Sequence, residues 1–557
     1  MTLPSDAVEF IVRHAREGRF RDELATLLER LVNIDTTPAG DLADACAHEA
    51  ALLDVIEAEA RCVLGDRAEI TRVPIDPAIE HHPFFARPYY AGDADAKTVY
   101  DGRCNLIVRV PGSGGGRPAV YNAHVDTVAP FVPARREGER LFGRGACDDK
   151  ASVVCLLAQI RLLEMLRRQR GIDAPGDRVY QFVIDEETGG NGSLSAAATS
   201  TPSGADVLVF ECTDNRPHPA NRGALWYRCK LATAGRIPPA RLVEMWALVV
   251  LALEDEGRAI RRESDHPLFA PTCAQTSHGI LGPYGQHPSA VNDYVAFVLR
   301  TNAGASAERL GMRLTQFART AVAQYVERYG DKTQPAADGP TPVERHFRLT
   351  HVPQPRGFAF KLEVFGKSGH MGSLEQCDGA ITKAAYVIGG MVRIVRSFPH
   401  ITAEVGLADG PAAPDPLVLE GGQGFLPTHP MAQVQQRLTD AARRGAADYC
   451  RLRGLSHDDA MVRMSFDKLH NEAYACDPDV PMMGAIRTAY EQMLLDWPPP
   501  TGWPVSCDAR IFAHAGHPTV VFGPGHLARA HADDESIDLP DLQTAAALAT
   551  LAALNLG

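Results

Sequence analysis

The sequence predicts an α/β protein, with a mostly parallel sheet covered by helices and an inserted α+β domain. Two observations carry this. Short apolar runs alternate with long apolar helical segments from Arg103 to about residue 224, and the same style returns after residue 455. Between them, roughly Leu225 to Gly454, the pattern changes and repeats itself.

Taken in order, residues 1–35 read as helix, with apolar positions at helical spacing through FIVRHA and LATLLERLV. DTTPAGD then breaks the pattern. CNLIVRV and AVYNAHVDTV read as strands, SVVCLLAQIRLLEML as a long helix, and VYQFVI and VLVFEC as further strands. Near the end, PTVVFG is another buried strand and LQTAAALATLAALNL a closing helix. These outer stretches are expected to form one domain, residues 1–224 and 456–557.

The insert divides into two expected halves, 225–340 and 341–455. One runs from the strand LWYRCKLATAG into the helix ARLVEMWALVVLALEDEG, then through a Gly-Pro-rich turn to the helix AERLGMRLTQFARTAVAQYVERYG. The other runs from FAFKLEVFGKSG through GAITKAAYVIGGMVRIV and VLEGGQGFLPTHP to DAARRGAADYCRLRG. This parallel suggests an internal duplication, with DKTQPAADGPTPVER (331–345) as the linker.

Composition excludes several function classes. The 56 Lys and Arg against 69 Asp and Glu leave a formal charge of −13, which argues against nucleic acid or an anionic membrane as partner. The apolar run Met245 to Leu253 is too short to span a bilayer and reads as one face of a buried helix. The first residues show no secretory signal, and the twelve cysteines form no CxxC pair. Reduced thiols and a cytoplasmic location are the expectation.

Chemistry concentrates at strand ends. In HVD, His124 and Asp126 lie two apart and face the same way, so Asp126 can hold the second ring nitrogen of a metal-binding His124. Alone, an HxD is weak. GRGACDDKAS places Asp148 and Asp149 on a glycine-freed loop, where a carboxylate can bridge two metals; the pair equally suits a helix N-terminus. IDEETGGNGS supplies Glu186 and Glu187, one able to hold a metal while the other takes a proton from its water. Glu211 ends the strand of VFECTD. Four histidines follow in the segment from Ser506 to Ser536. Of these His531, after a Gly-Pro-Gly loop, is the candidate ligand and His526 the reserve, with His514 and His517 read as structural. Their order at successive strand ends is what gives weight to the set, because open α/β sheets build sites there.

With these motifs in place, the sequence resembles a known family: the dinuclear zinc amidohydrolases and exopeptidases that include aminoacylase, acetylornithine deacetylase, succinyl-diaminopimelate desuccinylase, carnosinase and the PepV dipeptidase. HVDTV, GRGACDDK, DEETGG, VFECT, GKSGHMGS and VVFGPG with AHADDE match in order. The resemblance implies a zinc-exopeptidase catalytic domain with an inserted lid. It implies two zinc ions, or cobalt or manganese in their place. His124 and Glu211 would hold one and Glu187 and His531 the other, with Asp148 bridging both, followed by Asp149, often through a cis peptide. Asp126 would orient His124, Glu186 would act as general base and acid on a metal-bridging hydroxide, and His370 of GKSGHMGS would reach from the lid to polarise the scissile carbonyl.

Two positions depart from the family pattern. Ala151 follows DDK where Gly is usual, and Phe425 stands where the lid usually has the Asn of GGxxxN. The second puts substrate recognition in question more than metal binding. Arg510 is a candidate partner for a substrate carboxylate, or else a structural ion-pair residue. A duplicated lid favours a monomer, with His370 acting in cis, over a homodimer.

The expected function is therefore a dipeptidase or other exopeptidase on a small molecule or short peptide. The alternative is an N-acyl amino acid deacylase or other small-amide hydrolase. A third reading, an inactive binding protein on the same scaffold, is disfavoured by the intact Glu186.

Overall fold

The computed structural model describes residues 3–38, 41–285, 288–301, 306–330, 346–354, 357–371, 374, 377–394, 403–408 and 414–557. The chain forms two compact units. One comprises Met1–Gly223, Pro267–Phe269 and Lys468–Gly557, the other Ala224–His266 and Ala270–Asp467.

The first unit is built on a six-stranded sheet. Its strand order is Glu69–Pro74, Cys104–Val110, Arg178–Val183, Ala119–His124, Asp206–Phe210 and Thr519–Phe522. The last four pair in parallel, while the first two add antiparallel at one edge. Every residue of the four parallel strands is buried, as expected of strands covered on both faces. Their side chains alternate between two cores. Tyr121, Leu208, Phe210, Val520 and Phe522 enter one with the helices Lys150–Arg170 and Leu539–Asn555, and Val120, Val207, Val209 and Val521 enter the other. Glu69–Pro74 is half exposed, as suits an edge strand. The segments read from sequence as strands and helices in this unit take those forms, except that the strand of AVYNAHVDTV ends at His124. The helical start divides into Ser5–Arg16 and Gly18–Val32.

In the second unit, among the described residues and apart from the two-residue strands Ala290–Val291 and Gly369–His370, the order strand, helix, strand, strand, helix, strand occurs twice. The first run holds Gly223–Leu231, Leu242–Glu263, Thr276–Leu281, Tyr294–Thr301, Ala307–Tyr329 and Phe347–Val352. The second holds Phe358–Phe365, Ala380–Ile394, Ala403–Leu407, Leu417–Phe425, Met431–Arg453 and Val462–Ser465. The two runs exchange strands. One sheet orders Thr276–Leu281, Leu417–Phe425, Gly223–Leu231 and Val462–Ser465; the other orders Phe347–Val352, Phe358–Phe365, Tyr294–Thr301 and Ala403–Leu407. Each sheet thus takes the first two strands of one run and the last two of the other, so neither run closes a sheet alone. Phe347–Val352 completes the first run, and Val462–Ser465 carries the second past residue 455. The expected linker, residues 331–345, lies outside the described residues. Leu242–Glu263 packs on Met431–Arg453 at close range, since a Cβ added at Gly445 would stand 2.6 Å from Val249 Cα. Among the described residues no helix is long and apolar enough to cross a membrane.

Candidate metal centre

The first unit brings His124, Asp148, Glu186, Glu187, Glu211 and His531 together from separate strand ends and loops. His124 closes the strand Ala119–His124. Its Nδ1–H donates to the Asp126 carbonyl at 3.0 Å, which leaves Nε2 facing Asp148 Oδ1 at 3.1 Å. The expected orienting contact is thus made mainly by the carbonyl of Asp126, whose Oδ1 stands 3.5 Å from the same nitrogen. The Asp126 carboxylate instead accepts from the backbone N–H of Glu186 at 3.1 Å and of Glu187 at 3.0 Å. The second histidine, His531, places Nε2 at 3.0 Å from Glu187 Oε1 and 3.3 Å from Asp148 Oδ2. Glu211 has an oxygen within 4.8 Å of His124 and Glu186 donor atoms, and within the same distance of Asp148 and Cys212.

The loop before the helix Lys150–Arg170 presents Asp148. Gly145 takes a positive φ of 87°, and a side chain there would meet Lys150 and Thr127 at 2.9 Å. The Asp148–Asp149 peptide is cis, as the resemblance implies. Three backbone N–H groups of this loop, those of Gly145, Cys147 and Asp148, converge on Glu535 Oε1 at 3.0, 2.9 and 3.0 Å. Arg144 binds the other oxygen at 2.5 Å. Glu535 ends the AHADDE motif, yet the sequence assigns it no role, because its partners lie nearly four hundred residues away.

Electrostatics follow from burial. Burial raises the Glu186 and Glu211 carboxyls well above their usual range, helped by Asp508 beside Glu186 and by Asp148 beside Glu211. Asp149 is raised in the same way, chiefly by burial. Burial opposes ionisation of Asp148 too, yet hydrogen bonds from His124 and His531 hold it well below the usual carboxylate range. The two imidazoles are raised, the surrounding carboxylates outweighing burial. Imidazole nitrogens and several carboxylates converging at buried and half-buried positions form the donor set that divalent cations neutralise, so the residues fit a metal centre.

Arg510, on the short helix Ala509–His514, is fully buried. It donates through Nη2 to the Gly189 carbonyl at 2.7 Å and lies 5.5 Å over the Phe84 ring. Its guanidinium therefore faces the loop that follows Glu187, enclosed by protein. His370 belongs to the second unit, in Gly369–His370, paired antiparallel with Ala290–Val291. His526 caps the turn Leu527–Arg529, accepting from Ala528 N at 3.1 Å. His514 and His517 bond to the Ala473 and Ala205 carbonyls. Ala151 and Phe425, the two departures, are both fully buried. Besides Glu535, sequence reading missed Asp508, whose buried carboxyl is pushed up to about 6, and Asp185 with its partner Arg103.

A Schizosaccharomyces pombe protein described as "Peptidase M20 domain-containing protein C757.05c" is 36% identical over 114 residues, 20% of this chain and 27% of that protein. The N-formyl-4-amino-5-aminomethyl-2-methylpyrimidine deformylase of Bacillus subtilis is 33% identical over 112 residues, 18% of this chain and 25% of its own. These matches thus span only about a quarter of either relative's length. The solved structure of the di-peptidase Dug1p from Saccharomyces cerevisiae shares the fold with a TM-score of 0.56 at 11% identity, covering 99% of each chain. The sequence pattern of Peptidase family M20/M25/M40 matches residues 120–555, and the chain belongs to that family.

Proposed function

We propose that the protein is a zinc-dependent hydrolase that cleaves a peptide or amide bond of a small substrate, acting as a dipeptidase or related exopeptidase. The observation that carries this is the meeting of two histidines across Asp148, with Glu187 and Glu211 beside them and Glu186 within reach. In this reading His124 and Glu211 would hold one ion and Glu187 and His531 the other, with Asp148 available to both. Two dications held there, zinc or else cobalt or manganese, would supply acidification of a water and polarisation of the scissile carbonyl.

Glu186 is the base and acid. Its carboxyl lies beside His124 and Glu211, close enough to take a proton from the attacking water and pass it to the leaving amine. Asp126 fixes that carboxylate's backbone, and His124 is fixed through the Asp126 carbonyl. His370 donates to the developing oxyanion in cis within a monomeric, cytoplasmic protein. Arg510 is the candidate partner for the substrate's carboxylate, or else a structural residue, in keeping with its bond to the Gly189 carbonyl.

The substrate is a dipeptide or another short peptide with a free carboxylate. The second reading, hydrolysis of an N-acyl amino acid or other small amide, is favoured by the deformylase relative.

Metal analysis followed by hydrolysis assays on dipeptides and acyl amino acids tests the proposal, with Glu186→Gln as control. The expected result is about two bound ions in both proteins and a loss of turnover by orders of magnitude in the variant. Wild-type rates in Glu186→Gln would remove Glu186 from the mechanism, and a chain that holds no zinc would overturn the assignment.

A further inference from the structure

We propose that Asp185, locked by Arg103, Tyr90 and Tyr100, is the positioning residue that sets Glu186 and Glu187 for base and ligand work. This rests on the roles given to those two glutamates above. Asp185 stands immediately before them, where the chain leaves the strand Arg178–Val183. Its φ is 62°, a left-handed conformation that a residue with a side chain enters at a cost.

What holds it there is a closed set of bonds. Asp185 Oδ1 accepts from the Tyr90 hydroxyl at 2.7 Å and from Arg103 Nη2 at 2.8 Å. Oδ2 accepts from the Tyr100 hydroxyl at 2.8 Å and from Arg103 Nη1 at 3.3 Å. Each phenol has one proton to give, and both are given to Asp185. Tyr90 in turn accepts from Arg103 Nη1 at 2.8 Å, and Tyr100 from Asn191 Nδ2 at 2.7 Å. Arg103 is fixed from behind by Glu49, at 2.8 Å from Nε and 2.5 Å from Nη2. Asp185 and Arg103 are 2% and 3% exposed.

The lock acts on the backbone that carries the glutamates. The Asp185 carbonyl accepts from Gly190 N at 2.7 Å, closing the loop that holds Glu186 and Glu187. On the loop itself, their N–H groups run to the Asp126 carboxylate. The segment is therefore pinned at its base by a guanidinium and along its length by a carboxylate. A buried ion pair is a poor device for stability, since apolar side chains of equal volume usually serve as well. Placed one residue before a base and a ligand, its use is geometric.

The test compares full-length wild type, Asp185→Asn, Tyr100→Phe and Tyr90→Phe. Zinc affinity is measured by competition with a chromophoric chelator, alongside kcat and KM on a dipeptide panel and thermal unfolding. Asp185→Asn is expected to weaken one of the two ions, that of Glu187 and His531, by about 10- to 100-fold while the other keeps its affinity. kcat is expected to fall by a similar factor, with KM within about twofold because substrate contacts are untouched. Tyr100→Phe and Tyr90→Phe each remove one hydroxyl, should shift the same ion by smaller factors, and decide the matter if Asp185→Asn does not fold. Both ions held at wild-type affinity with unchanged kcat, in any folded variant, would overturn the inference, as would equal weakening of both. If wild type binds two zinc ions yet hydrolyses no peptide or acyl amino acid, the hydrolase reading fails, while the selective affinity loss still tests Asp185.

Discussion

Asp148 offers one carboxylate oxygen to each of two histidines, Oδ1 at 3.1 Å from His124 Nε2 and Oδ2 at 3.3 Å from His531 Nε2. A carboxylate so placed can serve two cations only if both oxygens are anionic acceptors. Asp148→Asn keeps the shape but turns one oxygen into a donor. The expected outcome is a fall from about two bound zinc ions to one or none, with turnover lost by orders of magnitude. Elemental analysis of gel-filtered protein measures the first and dipeptide hydrolysis the second. Two full equivalents of zinc in the variant would exclude Asp148 as the shared ligand.

Glu535 gives a stability prediction. It is 2% exposed and satisfies three backbone N–H groups and Arg144 at once. Glu535→Ala leaves all four donors without their acceptor, one of them a buried guanidinium. Breaking a buried pair by removing one partner costs about 3–5 kcal/mol, so urea unfolding should show a loss of that order. Glu535→Gln keeps an acceptor for the loop but turns an amide N–H₂ toward Arg144 or the N–H groups, and should cost less. Because the loop carries Asp148, zinc affinity is expected to fall with it in both variants.

His218 makes stability depend on pH. Burial holds its ring neutral, pushing its pKa down from 6.5 to about 4, and its Nδ1 bonds to the Thr501 carbonyl at 2.9 Å. Between those pH values the unfolded chain binds a proton that the folded chain refuses. The stability this group contributes is complete above pH 6.5 and is lost as pH falls toward 4. A shift of this size is worth about 3 kcal/mol. In His218→Gln, which cannot titrate, unfolding free energy should fall less steeply over that range than in wild type. Parallel pH profiles for the two proteins would contradict the assignment.

Much of this molecule is legible in its sequence because the signals are local. The four parallel strands are short, mostly apolar runs, and the proposed ligands His124, Asp148, Glu187, Glu211 and His531 sit at or just beyond strand ends or on glycine-rich loops, where a reader looks for them. What stayed hidden is made of long-range pairings. Nothing near Glu535 announces that it will close the Asp148 loop, and nothing near Arg103 announces Asp185. Asp126 shows an intermediate case. Its proximity to His124 was readable, but its carboxylate is engaged by the backbone of residues about sixty positions away. The exchange of strands in the second unit is hidden for the same reason: Leu417–Phe425 pairs with Thr276–Leu281, and no periodicity within either run names the other.

Metal removal should act on folding as well as on turnover. The buried carboxyls of Glu186, Glu211 and Asp149 repel one another and are pushed toward their protonated forms, while His124 and His531 are drawn toward theirs. Cations that bind only the folded chain replace those protons and stabilise it by an amount set by free ion and affinity. With free zinc about a thousandfold above Kd this is about 4 kcal/mol per site. A chelator should therefore lower the melting temperature of wild type, and restored zinc should raise it again. In His531→Ala the same cycle should move the melting temperature less, since one of the two proposed sites has lost its imidazole. A melting temperature indifferent to chelator and zinc in wild-type protein would mean that these side chains hold no tight ion.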